Sequence, residues 1–159
     1  MPDVKMIHYT DSIHYEIEQT VRIMKKLSVQ TFHKLNIEIA PDEYSTLDTI
    51  SINAGICQRD LAKLILKDRA NTGRILDSLE AKGYITRFID TKGNRLVKKV
   101  GITELGYNEL SAINKKLEGY LNNLSDSLHR KVSHKDILKM REILKGFRED
   151  LETVVELNI

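Results

Sequence analysis

A single cysteine excludes an intrachain disulfide framework and suits a reducing compartment. No apolar run is long enough to span a bilayer. The N-terminal MPDVKMIHYTDSIHYE lacks the apolar core of a signal peptide, so a cytoplasmic protein without a membrane partner is expected. There is no Gly-rich phosphate loop, paired-Cys motif, His-Glu-x-x-His or nucleophile elbow, and the reading is of a protein that is not an enzyme and carries no cofactor or metal. The five histidines, His8, His14, His33, His129 and His134, have no compact ligand spacing. Neither proline nor glycine interrupts the chain between Asp3 and Ala40, which leaves room for a long helix.

What is present points to a folded, mainly helical chain. Hydrophobic residues make up 41% and charged residues 30%, outside the range of disorder. The net charge of +2 hides an uneven distribution. Residues 57–103 hold eleven Lys/Arg against five Asp/Glu, or +6, and the rest of the chain carries −4. A basic middle between mildly acidic flanks is the footprint of a central nucleic-acid-binding module.

That middle contains the informative stretch, ICQRDLAKLILKDRANTGRILDSLEAKGYITR, at 56–87. It reads as two short helices and the start of a strand. Asp68 is an N-cap type. Ile75, Leu76 and Leu79 recur at helical spacing, and Lys82 and Gly83 end the helix. Asn71, Arg74 and Ser78 fall on the opposite face, where their chemistry suits base edges in a major groove. Arg69 and Thr72 belong to the same first turns. After Gly83 the period changes. Tyr84 to Ile89 reads as a strand, Asp90 to Arg95 as a turn, and Leu96 to Ile102 as the return strand. This makes a winged helix, with Lys92, Arg95, Lys98 and Lys99 at or near the wing tip.

The flanks are long amphipathic helices. Ile13, Ile17, Val21, Met24, Leu27 and Leu35 trace one stripe over about 11–35, with Asn36 as its C-terminal cap. Pro41 opens the next helix, PDEYSTLDTISIN, and Gly55 follows its end. The third starts near Cys57 or Gln58. Thr103 caps a helix carrying Leu110, Ile113, Leu117, Leu121, Leu124 and Leu128. Ser133 with Asp136 opens a last one carrying Ile137, Met140, Leu144, Phe147, Leu151 and Val154 or Val155. A small winged helix cannot cover all three stripes, and a second copy is the simplest partner. The fold class expected is therefore mainly α with a small β-hairpin wing. Residues 1–40 and 104–159 supply dimerisation helices, and 41–103 form a winged helix-turn-helix.

With those residues in hand, the chain resembles the MarR (multiple antibiotic resistance regulator) family of winged-helix transcription regulators. The likeness covers nearly the whole chain and is most specific in QRDLAKLILKDRANTGRILDSLEAKGYITR and the later ITELG. It implies a homodimer, probing double-stranded DNA at a palindromic operator with two recognition helices roughly 34 Å apart. It further implies release by a small-molecule effector, bound in relatives in a cleft near which Tyr44 and His33 would stand. Arg74 matches the family's recognition-helix arginine and Arg95 its wing arginine, which enters a minor groove. Three departures stand out. Gly93 replaces an aspartate usual two residues before that arginine. Gly73 stands where Thr is common, at a helix cost of about 1 kcal/mol relative to Ala. The segment 95–103 is one residue longer, and a bulge near Gly101 would absorb it.

The DNA-contacting set expected is Arg69, Asn71, Thr72, Arg74, Ser78, Lys92, Arg95 and Lys98, in a regulator read as a repressor. Two alternatives follow from other features. Cys57, near a helix start, is the candidate thiol for a redox-switched regulator. The basic face would equally serve a winged-helix module that binds an acidic protein rather than specific DNA.

Overall fold

The computed structural model describes residues 8–155. It divides into two compact units, Met1–Ser45 and Thr46–Ile159. The division falls inside the helix opened by Pro41.

In the first unit a 3-10 turn, Tyr9–Asp11, leads into α1, Ile13–Lys34. The Ser12 side chain accepts from the Tyr15 N–H at 3.1 Å, so the cap is Ser12. The helix stops as expected at Asn36, in the left-handed conformation with φ 53°, and the Ile37 N–H returns to the Phe32 carbonyl at 2.9 Å. Thr31, Phe32, Ile37 and Ile39 are buried, while Ile13, Val21, Met24 and Leu27 of the long stripe are exposed. Helix α2, Pro41–Ile52, carries Asp42 and Glu43 in its first turn, against the positive end of the helix dipole.

The second unit holds the winged helix. Helix α3, Gln58–Ile65, begins at Cys57, and α4, Arg69–Ala81, begins at Asp68, whose carboxylate accepts from the Asn71 N–H at 2.7 Å. Gly83, with φ 79°, turns the chain out of α4, a conformation that costs any other side chain strain. Strands β1, Ile85–Lys92, and β2, Arg95–Ile102, then pair antiparallel. The hairpin differs from its expected form in two ways. Asp90, Thr91 and Lys92 belong to the strand, and the turn shrinks to Gly93 and Asn94, with Gly93 at φ 64°. No bulge forms at Gly101. The register runs unbroken from Ile85 opposite Ile102 to Lys92 opposite Arg95, with Thr86 opposite Gly101. The extra residue lengthens a regular ladder, which an exposed ribbon accommodates without disturbing any packed face.

Helix α5, Glu104–Leu128, starts where the hairpin ends. Thr103 explains why. Its hydroxyl accepts from the Gly106 N–H at 3.0 Å and donates to the Gly83 carbonyl at 2.6 Å, and its N–H reaches the Tyr84 carbonyl at 3.0 Å. A Cβ on Gly106 would fall 2.1 Å from that same Tyr84 oxygen. The Thr-x-x-Gly spacing is thus a docking device that seats α5 on the end of the helix-turn-helix. Leu110 and Ile113, in its first half, are buried, whereas Leu121 and Leu128 are exposed. Helix α6, His134–Glu152, has the Ser133–Asp136 capping box and no buried residue. Ile137, Met140, Leu144, Phe147 and Leu151 stand open along it. The buried core of this unit comes from Leu47 and Ile50, Leu61 and Ala62, Ile75, Leu76 and Leu79, Ile85 and Val100, Leu110 and Ile113.

Candidate nucleic-acid interface

The exposed face of α4 is ordered by a chain of side-chain bonds. Asp68 receives the Asn71 amide N–H2 at 2.9 Å as well as its backbone N–H, and the Asn71 carbonyl oxygen receives the Arg74 guanidinium at 2.7 Å. The N-cap therefore orients both polar groups that face outward. Arg69, Asn71 and Arg74 are exposed. Ser78 is half-buried, one turn further along, and accepts from the Lys82 ammonium at 3.2 Å. Thr72 is placed differently. It is 2% exposed and its hydroxyl donates to the Asp68 carbonyl at 2.8 Å, so it faces the core and not the outer surface. Positions 72, 75, 76 and 79 are one helical stripe, which the sequence already spelled. Gly73 leaves open space, with no atom within 4 Å of where a Cβ would stand.

The wing brings up the remaining cations. Arg95 opens β2, exposed, directly opposite Lys92. Lys98 is exposed, while Lys99 is paired with Asp90 at 3.1 Å. Lys92 is paired with Asp60 of α3. The Lys92 ammonium, helped by the Cys57 side chain, holds the Asp60 carboxyl below its ordinary value, and Asp60 in turn raises Lys92. Between α3, the start of α4 and the hairpin lies a cleft of about 790 Å³. Its charged lining consists of Arg59, Lys63, Arg69, Lys92, Arg95 and Lys98, with Asp60 as its one carboxylate. Among the described residues, Arg59, Lys63, Arg69, Arg95 and Lys98 have no ion-pair partner. Six cations around this cleft make a track for a polyanion, with the start of α4 on one bank and the wing on the other.

Three of the residues that shape this surface were not among those expected from sequence. Arg59 and Lys63 follow from the same α3 amphipathicity that buries Leu61 and Ala62. Arg87, on β1, is the third. It reaches α4 and bonds Asp77 at 2.6 Å and Glu80 at 2.9 and 3.2 Å. These carboxylates hold its guanidinium above the usual arginine value, Glu80 first, and Arg87 keeps Glu80 below the usual glutamate value. The only sequence signal was two acids three apart on the outer face of α4, near a strand that starts four residues later.

Other candidates lie elsewhere. Cys57 is 7% exposed, and buried thiols are the unreactive ones. Tyr44 meets Phe32 edge-on at 5.7 Å, and His33 is exposed. His129 and His134 stack 3.7 Å apart at the corner between α5 and α6. Among the described residues no three His, Cys, Asp or Glu gather in a way that would hold a metal, and no helix is long and apolar enough to cross a membrane.

Residues 39–97, from just before α2 into β2, match the MarR family model. Over those residues the chain is similar to the MarR family. MarR-family proteins are transcription regulators rather than enzymes. A stretch of 91 residues is 33% identical to the uncharacterized HTH-type transcriptional regulator YybA of Bacillus subtilis (strain 168), covering 57% of this chain and 59% of that protein's length. Among solved structures, the transcriptional regulator SlyA superposes with a TM-score of 0.68 at 26% identity, covering 88% of this chain and 94% of that one. The Staphylococcus aureus (S. aureus) MepR–DNA complex superposes with a TM-score of 0.67 at 20% identity, covering 91% and 99%. The mainly helical architecture with a two-stranded wing is thus the MarR winged-helix fold.

Proposed function

We propose that this chain is a homodimeric MarR-family transcription regulator, a repressor that binds a palindromic operator in double-stranded DNA and leaves it when an effector binds. The observation that carries the reading is the joint placement of an ordered Asn71–Arg74 face on α4 and a cation-lined cleft leading to Arg95 on the wing. Asn71 and Arg74 would address base edges in the major groove, and Arg95 the minor groove. Arg69, Lys92 and Lys98 would add phosphate attraction, as would Arg59 and Lys63. Ser78 sits one turn further on and would touch only the edge of the site. Thr72 is left out of the contact set because it is buried. The S. aureus MepR–DNA complex, which shares the fold, supports the same use of it.

The open apolar faces of α1 and α6 support the dimer. Ile137, Met140, Leu144, Phe147 and Leu151 on one helix form a larger stripe than a soluble monomer ordinarily leaves wet. A two-fold dimer would set its recognition helices about one helical turn apart. An effector would act by binding one arrangement of the two helices better than the other, since equal affinity shifts nothing. Such a regulator works in the cytoplasm, where its operator is.

The test is selection of random duplex DNA by the purified protein. A recovered palindrome with half-sites about one turn apart is the expected outcome. Weak, salt-sensitive enrichment without a motif would instead favour the winged-helix module that binds an acidic protein.

A further inference from the structure

We infer that Asp60 is a positioning residue for the wing arginine: its ion pair with Lys92 ties the hairpin tip to α3 and thereby sets where Arg95 stands relative to the exposed face of α4. This rests on the DNA-binding reading above. The pair joins residues 32 apart in sequence, the third residue of α3 and the last residue of β1. Lys92 and Arg95 are the final rung of the ladder, flanking the two-residue turn. Facing residues on such a rung stand about 5 Å apart, so fixing Lys92 fixes Arg95.

Among the described residues no other ion pair ties the tip to another element. The hairpin is braced near its base by Arg87 on α4, and on its other edge by the Val100 N–H to the Ile56 carbonyl at 2.9 Å and a bridge between Cys57 and Lys99. Beyond the Cys57–Lys99 bridge, from Ile89 to Lys92, the ribbon runs about 10 Å with neither edge paired to another strand. Its one further ion pair, Asp90 with Lys99, is internal. Two-stranded ribbons are marginal alone, and every residue from Phe88 to Leu96 is exposed. Arg95 itself has no ion-pair partner among the described residues.

Charge argues the same way. Asp60 is the single carboxylate lining a cleft of six cations. A carboxylate beside a phosphate path repels it and neutralises one of the cations that would attract it. If attraction were all that mattered, Asp60 would weaken binding. Its contribution is geometric: it trades one cation's attraction for a fixed wing tip.

The experiment uses the selected operator in two lengths, one complete and one trimmed of the flanks that the wings reach. Asp60→Asn, Lys92→Met and the exchanged pair Asp60→Lys with Lys92→Asp are compared with the natural protein, with melting temperature as a folding control. Asp60→Asn should bind the complete duplex about fivefold more weakly, near the ceiling for an exposed pair, and the trimmed duplex equally well. Its hydroxyl-radical protection over the flanking minor groove should fade while guanine N7 protection in the major groove persists. The exchanged pair should recover most of both, which separates positioning from the lost charge of Lys92→Met. Asp60→Asn binding as tightly as the natural protein or tighter, with the flank still protected, would overturn the inference, as would an exchanged pair no better than the single variants. A natural protein that selects no duplex at all would sink the DNA-binding reading and this inference with it.

Discussion

The two ends of the wing are built on different terms. At its base Ile85 and Val100 are buried, Thr103 and Gly106 lock the following helix to Gly83 and Tyr84, and Arg87 bonds two carboxylates of α4. At its tip every side chain is exposed and one ion pair reaches back to the helices. The base is held by burial and by backbone contacts that any change would disrupt. The tip is held by a pair of charges that costs little to break. The position of the base is therefore set by the core, and that of the tip by a single ion pair.

Substitutions at the base should therefore cost stability, and substitutions on the exposed rim should cost DNA binding at unchanged stability. The largest effect expected is from Gly106→Ala. The added Cβ meets backbone, not a movable side chain, so about 3 kcal/mol of folding stability should go, read as a lowered denaturation midpoint. On the rim, Arg74→Ala should weaken operator binding by about 1–3 kcal/mol and relax the preference at one base pair per half-site, with the melting temperature unmoved. Unchanged affinity and preference would remove Arg74 from the contact set. Arg95→Ala should follow at about tenfold, with its loss concentrated on flanking A·T-rich sequence, as competition between flank variants would reveal.

Arg87→Met belongs to the base and should lower the melting temperature by a few degrees at neutral pH. Its sign with pH is fixed by the carboxylates. Glu80 titrates below its ordinary 4.5 in the folded chain because of Arg87, so the pair's contribution is full above that ordinary value and is lost as pH falls through the lowered one. The gap between variant and natural protein should shrink on acidification below about pH 4; a gap independent of pH would mean that packing, not the ion pair, braces the base. Smallest of all, Lys98→Ala should reduce affinity nearly uniformly across sequences and lower the slope of log affinity against log salt by about one.

Much of this was readable from residues in order. Asp68, Thr103 and the Ser133–Asp136 pair mark helix starts because capping is local chemistry, completed within three residues. Asn36 and Gly83 mark stops for the same reason. The hairpin's length was not legible. Asp90, Thr91 and Lys92 have turn composition, but on a ribbon exposed on both faces the ladder continues whatever the side chains are. The bulge expected at Gly101 failed on the same ground. Thr72 is polar, yet its position lies on the buried stripe. Asp60 with Lys92, and Arg87 with Asp77 and Glu80, lay beyond reach because each joins separate elements, and sequence spacing carries no record of which surface charges will meet across a fold.

The contact at Gly106 has a mechanical consequence. With no side chain between the first turn of α5 and the Tyr84 carbonyl, a change of tilt there has nothing soft to absorb it. Helix α5 is 25 residues long, roughly 37 Å at 1.5 Å per residue. Rotation of roughly 5° about that seat swings its far end by about 3 Å, and the motion runs equally in reverse. A shift of one side-chain width near Leu121 and Leu128, where the helix lies open, would turn the end of α4 through a few degrees. The glycine makes α5 a rigid pointer whose pivot is the end of α4.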